Sequence, residues 1–273
     1  PAKWLLVTSN RDVTNEELSP RHPHGSRHLN LEAAPYALPD PVFGDHYLLL
    51  YRLDDLRAHM RGERLPFEAT PSSHRFSEVY ESRLWGSEES ASGPGSERNA
   101  GAVRHSLQVL DTVIRERGIR SIGDIPCGDF NWMPELLAAH PDVAYVGYDV
   151  VPALIRENRL RPPGVDFRLL DISRAAPERA DLIFSKDLLN HLGEDDVWAA
   201  LQNMAASGSE WLLVTTNRGF DNADLEPTQP HASRHLNLEA PPYSLPEPVS
   251  GDHYLLLYRM EDVARRLAER ATS

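Results

Sequence analysis

Short, wholly apolar runs alternate along the chain with stretches of helical periodicity. Val103, Leu107, Leu110 and Ile114 recur at helical spacing from Arg98 to Ile114, which predicts a helix that Gly118 stops. Ser121-Ile122-Gly123-Asp124-Ile125 follows as a strand, then the turn Pro126-Cys127-Gly128-Asp129-Phe130-Asn131, then a helix from Met133 to Ala139. The same reading gives strands at Ala144 to Tyr148, Asp166 to Leu170, Leu182 to Ser185 and Trp211 to Thr215, with helices at Pro152 to Arg159 and Asp195 to Met204. Strands alternating with helices predict an α/β fold: a parallel sheet covered on both faces, with its ligand at the carboxyl ends of the strands.

A second pattern is superposed on the first. The segment from Trp4 to Asp55 returns at an offset of 207 residues, with about 36 of 52 aligned positions identical. Trp4-Leu5-Leu6-Val7-Thr8 reappears as Trp211-Leu212-Leu213-Val214-Thr215, and Gly44-Asp45-His46-Tyr47-Leu48-Leu49-Leu50-Tyr51-Arg52 as Gly251 to Arg259. Each copy reads as a buried strand, a polar and proline-rich excursion, a second buried strand and a short amphipathic helix. Two copies with about 150 unlike residues between them cannot stack as a solenoid. One copy is therefore expected to be the tail of a complete domain and the other its duplicate: residues 1–65 the duplicate, 66–97 a linker with a helix and loop over the ligand site, and 98–273 the core, which includes the second copy at 210–267.

Composition narrows the chemistry. A formal charge of -13 repels polyanions, so nucleic acid is not the expected partner. Cys127 is the sole cysteine, which excludes an internal disulfide and a multi-cysteine zinc site. With no apolar run of membrane-spanning length and no signal-peptide pattern, a soluble, cytoplasmic protein with no membrane partner is expected. Lys3 and Lys186 are the only lysines, and the arginine-rich remainder reads as the codon usage of a high-GC bacterium.

Acidic residues fall at the predicted strand ends: Asp124, Asp149, Asp171 and, just past the fourth, Asp187. Asp149 lies 21 residues after Gly128, the spacing at which an acid accepts hydrogen bonds from ribose hydroxyls. The turn holds neither G-x-G-x-x-G nor a Walker lysine, so a nucleoside without phosphates suits it better than a dinucleotide or a nucleoside triphosphate.

The run Asp124-Ile125-Pro126-Cys127-Gly128-Asp129-Phe130-Asn131-Trp132-Met133 resembles the first motif of a bacterial subfamily of class I S-adenosylmethionine (SAM)-dependent methyltransferases. A Phe76 to Gly86 helix followed by Ser90-Ala91-Ser92-Gly93-Pro94-Gly95-Ser96, the strand Tyr145 to Asp149, the run Asp181 to Leu192, and Arg234-His235-Leu236-Asn237-Leu238 with Pro241 to Pro246 are similar to that subfamily in the same order. Pro126 and Phe130 stand where the wider class often has glycine, and the front duplicate is foreign to the pattern. The resemblance implies a Rossmann-like class I methyltransferase sheet, plus a β-rich N-terminal segment that duplicates its last strands, and SAM as cofactor. It places Asp124 and Gly128 at the methionine part of SAM, Asp149 at the ribose, and Asp171 with Ile172 at the adenine; Cys127, Asp129, Val150 and Lys186 complete the expected cofactor set.

Methyl transfer needs an aligned acceptor and a destination for its proton, and Asp187, His191 and His235 are the expected catalytic residues. Arg234 and Asn237 are expected to bind the acceptor, a small hydrophilic metabolite such as a sugar or natural-product intermediate, methylated on oxygen or nitrogen. Plainer readings stand beside these. A strand-end Asp often only caps a turn, His191 reads equally as a packed ring, Lys186 as a solvated charge, and Cys127 as a small residue under the cofactor loop. His24 and His28, like His231 and His235, have the spacing of metal ligands on a helix, but their neighbours mark a loop, and no metal is expected. The alternatives at the level of the whole chain are a non-catalytic SAM-fold interaction or regulatory protein and a nucleotide-dependent oxidoreductase. The surplus apolar strands predict a homodimer built through the duplicated segments.

Overall fold

The computed structural model describes residues 4–9, 30–31, 38, 43–44, 48–53, 56, 70–160, 165–225 and 231–271. They fall into two units, Pro1–Glu68 and Ala69–Ser273. In the first unit, β1 (Trp4–Thr8), β2 (Phe43–Gly44) and β3 (Leu48–Arg52) form an antiparallel sheet in the order β1-β3-β2, with Leu49, Tyr51 and Leu56 as its small core.

The second unit begins with α1 (Pro71–Glu81). Its start is set by a capping box: the Thr70 hydroxyl accepts from the Ser73 N–H at 3.0 Å, and the Ser73 hydroxyl accepts from the Thr70 N–H at 2.8 Å. The predicted Phe76 to Gly86 helix is thereby corrected. Pro71 at the first turn moves the start upstream, and the left-handed residues Arg83 and Gly86 turn the chain where helix was expected. The helix α2 (Gly101–Arg117) ends on left-handed Gly118 as its sequence predicts, one turn later than the last counted apolar position.

From there strands and helices alternate: β4 (Ser121–Asp124), α3 (Met133–Ala139), β5 (Ala144–Asp149), α4 (Pro152–Arg159), β6 (Asp166–Leu169), β7 (Leu182–Ser185), α5 (Glu194–Ala206) and β8 (Trp211–Thr215). The chain then closes with β9 (Ser250–Gly251), β10 (Leu255–Arg259) and α6 (Met260–Ala271). The sheet order is β6-β5-β4-β7-β8-β10-β9. The first five strands are parallel, as expected. The sheet is mixed rather than purely parallel, because β10 returns antiparallel along β8 and β9 along β10.

Both faces are covered. Alternate residues of one strand enter different cores: Leu212 and Val214 pack with Val197 and Leu201 of α5, while Trp211 and Leu213 pack with Leu107 and Leu110 of α2. This is why WLLVT has no polar position before its threonine: a strand inside such a sheet has no solvent face. The two copies of the duplicated segment share their register. Trp4 faces Arg52 as Trp211 faces Arg259, and Gly44 faces Leu49 as Gly251 faces Leu256. They differ in surroundings: β8 has β7 on its other edge, whereas among the described residues β1 pairs only with β3. Leu6 is accordingly 59% exposed and Leu213 wholly buried.

Candidate functional site

The carboxyl ends of β4, β5 and β7 open into a cavity of about 560 Å³. Asp124, the last residue of β4, is buried there and accepts a 2.6 Å hydrogen bond from the Tyr145 hydroxyl; burial nevertheless pushes its carboxyl up to about 7. Asp149, the last residue of β5, accepts from the Gly128 N–H at 3.1 Å and the Val151 N–H at 3.0 Å. Burial pushes it up to about 6, against the opposing pull of those N–H groups.

Gly128 is at φ +53°, and a Cβ there would come within 2.3 Å of the Ser92 hydroxyl, so the turn needs glycine for both reasons. Ser92 belongs to a strap, residues 90–96, fastened to this turn. Asp129 accepts from the Ala91 N–H at 2.8 Å and the Ser90 hydroxyl at 3.1 Å, and its own N–H donates to Ser92 Oγ at 3.0 Å. The Asn131 side chain donates to the Ser96 carbonyl at 3.1 Å. Phe76 and Tyr80 of α1, with Trp85 beyond it, supply the apolar wall.

After β7, buried Lys186 donates to the Gly95 carbonyl at 3.1 Å and pairs with Asp187 at 2.6 Å. Asp187, at φ +54°, also accepts from the Tyr254 hydroxyl at 2.8 Å. Asp252 explains the repeated Asp-His pair in the second copy. Its carboxylate accepts from the N–H groups of Tyr254 and Leu255 at 2.7 and 3.0 Å, which turns the chain so that the Tyr254 ring reaches Asp187. His191 contacts the Ala232 carbonyl through Nδ1 at 3.0 Å. A carbonyl only accepts, so Nδ1 carries the proton and Nε2 the lone pair. Burial among Trp85 and Phe76 lowers its affinity for a second proton.

A second cavity of about 290 Å³ shares Asp187, Asn190 and Ser233 with the first and is otherwise lined by Thr215, Asn217, Arg234, His235 and Leu236. Of the residues singled out from sequence, Asp124, Cys127, Gly128, Asp129, Asp149, Val150, Lys186, Asp187 and His191 line the first cavity, and Asp187, Arg234 and His235 the second. Three line neither. The Asp171 carboxylate takes the Ser173 N–H and hydroxyl at 3.0 and 2.7 Å, a turn-capping role. Ile172 lies in the core, where its carbonyl accepts from Asn203. Asn237 braces the loop, with its side chain on the Phe220 carbonyl at 3.1 Å and its N–H on Asn222 at 2.8 Å. Lys186 is buried and paired rather than a solvated charge. Tyr254, Asn190, Thr215 and Trp85 were not foreseen; the tyrosine's place next to a repeated Asp-His turn was the signal available.

His24, His28, Asp45 and His46 lie outside the described residues. Among the described residues no cluster of three His, Cys, Asp or Glu side chains could hold a metal ion, and no helix is long and apolar enough to cross a membrane.

No family model matches the chain. Two curated relatives, the trans-aconitate 2-methyltransferases of Methylobacterium nodulans and Methylobacterium radiotolerans, are each 37% identical over 70 residues, 25% of this chain. The chain spans only 27% of the length of either relative. Similar solved structures include the N-methyltransferase NodS from Bradyrhizobium japonicum in complex with S-adenosyl-L-homocysteine, at 19% identity and a TM-score of 0.42, which covers 52% of this chain and 74% of that one. An O-methyltransferase family protein from Burkholderia thailandensis is 17% identical with a TM-score of 0.41 and covers 57% and 56% of the two chains.

Proposed function

We propose that this chain is a SAM-dependent methyltransferase that modifies an oxygen or nitrogen of a small hydrophilic metabolite. The observation that carries the reading is the pair of buried carboxyls, Asp124 and Asp149, at adjacent strand ends beneath a glycine turn without a phosphate-binding pattern. Such a site favours a cationic nucleoside over a polyphosphate, and the matched relatives named as methyltransferases support it. The first cavity lies in the size range of small-molecule sites.

SAM, when bound, supplies a methyl group made electrophilic by its sulfonium. Asp149 would accept from the ribose hydroxyls, Asp124 would complement the cationic end, and Val150 would line the site beside them. The strap at 90–96, pinned by Asp129, would shield the reacting centre from water. His191, whose Nδ1–H donates to the Ala232 carbonyl and whose ring burial keeps neutral, would take the acceptor's proton on Nε2. Asp187, already holding Lys186 and Tyr254, orients rather than deprotonates.

Calorimetric titration with SAM, S-adenosylhomocysteine and NAD tests the reading. SAM and its demethylated product bind, NAD does not, and Asp149→Ala weakens SAM binding by about 1.5–3 kcal/mol, the range for hydrogen bonds to a charged group. Absence of binding by both SAM and its product overturns the assignment, and NAD binding in their place favours the oxidoreductase.

A further inference from the structure

We infer that the 290 Å³ cavity is the acceptor subsite and that it takes an uncharged, hydroxyl-rich ring the size of one monosaccharide unit, not a polycarboxylate. The inference rests on the methyltransferase reading and adds to it the chemical class of the acceptor.

The lining of this cavity mixes groups that donate with groups that accept: the hydroxyls of Thr215 and Ser233 do both, and the side-chain amides of Asn190 and Asn217 carry one end of each kind. A hydroxyl also does both and answers either end; a carboxylate only accepts, and leaves the accepting ends without a donor.

Charge points the same way. The charged side chains lining this cavity are Arg234, matched by Asp224 at 2.8 Å, and Asp187, matched by Lys186 at 2.6 Å. Among the described residues neither Arg234 nor Lys186 is left without an acidic partner, and the first cavity adds Asp124, Asp129 and Asp149 on the negative side. A tricarboxylate would meet excess negative charge, so the substrate named for the matched relatives does not suit this site. Thr215, Asn217 and Ser233 add neutral hydrogen-bonding side chains. The volume corresponds to about ten waters at roughly 30 Å³ each, room for about a dozen non-hydrogen atoms, as in a hexose.

In the reaction a ring hydroxyl oxygen reaches past Asp187 and attacks the methyl carbon of SAM. The new C–O bond forms as the C–S bond breaks, the C–S electron pair stays on sulfur as a neutral thioether, and the hydroxyl proton passes to His191 Nε2.

The test is equilibrium binding by saturation-transfer NMR, using the full chain saturated with S-adenosylhomocysteine and two probe sets: neutral hexoses, deoxyhexoses and their methyl glycosides, and the polycarboxylates trans-aconitate and citrate. At least one sugar binds saturably and no polycarboxylate does. Arg234→Met weakens sugar binding by about tenfold or more without altering affinity for the homocysteine product, since Arg234 does not line the first cavity. Because Arg234 also holds Asp224 and Tyr243, His235→Ala, at an exposed ring of the same cavity, gives a second reading independent of any folding defect and also weakens the sugar. Binding of a polycarboxylate but no sugar, binding of neither set, or sugar binding unmoved by both substitutions overturns the inference while the methyltransferase reading stands. Failure to bind the homocysteine product sinks that reading itself.

Discussion

Asp124 and Asp149 are carboxyls that folding places in a costly position. Both are raised above the ordinary carboxylate range by burial, to about 7 and about 6. Between the unfolded value near 4 and these native values the folded chain holds protons that the unfolded chain releases, so their contribution makes stability fall as pH rises through that window. A cationic ligand favours the ionised forms, so SAM binding releases protons below about pH 7, and affinity rises with pH before levelling off. Calorimetry in buffers of different ionisation enthalpy reads this directly. Asp124→Asn removes the burial cost of the charge; it stabilises the unliganded protein at pH 8 by about 3–4 kcal/mol in denaturant titrations while weakening SAM binding. A variant that is no more stable at that pH would mean that Asp124 is not held against its charge. The places of Asp124 and Asp149 at strand ends were legible from sequence, Asp124 by closing the strand before the glycine turn and Asp149 by closing the next strand at its spacing after Gly128. Asp171 met only the strand-end criterion, and a lone strand-end aspartate equally makes a turn, as it does here. Tyr254 was hidden for the opposite reason: an aromatic beside an apolar run reads as strand, although its hydroxyl reaches Asp187.

At the level of elements, the most informative comparison is internal. Leu6 and Leu213 occupy the same place in identical pentapeptides with identical antiparallel pairing. Among the described residues, the strand of Leu213 has a parallel neighbour on its other edge and helices over its faces, whereas β1 pairs only with β3. Leu213→Ala is therefore expected to cost about 2–5 kcal/mol, and Leu6→Ala less than about 0.5 kcal/mol, in chemical denaturation followed by fluorescence. Equal costs would mean that the front strand is enclosed as fully as the rear one. Strand and helix positions were readable because period and apolar content report burial. The return of β10 against β8 was not, since a short apolar run has no mark of direction, and α1 was misplaced because a capping box outweighs the apolar pattern that follows it.

For the whole molecule, the second copy joins the seven-stranded sheet, whereas among the described residues β1 of the first copy pairs only with β3. Exposed Leu5, Leu6 and Leu48 in that copy motivate the expectation of a homodimer through the duplicated segments. Sedimentation of the full chain should give a dimer. Deletion of residues 1–65 should give a monomer that still binds SAM, because both cavities are built from residues 76 onward. An insoluble or non-binding truncation would place the front copy in the catalytic sheet. The shared register has a further consequence, in the order of events on the ribosome. β1 and β3 are finished long before β7 emerges, and 74 residues separate Ser185 from Arg259, roughly 4–15 s of synthesis. Throughout that interval the front pair is the one sequence-matched strand pair already synthesised.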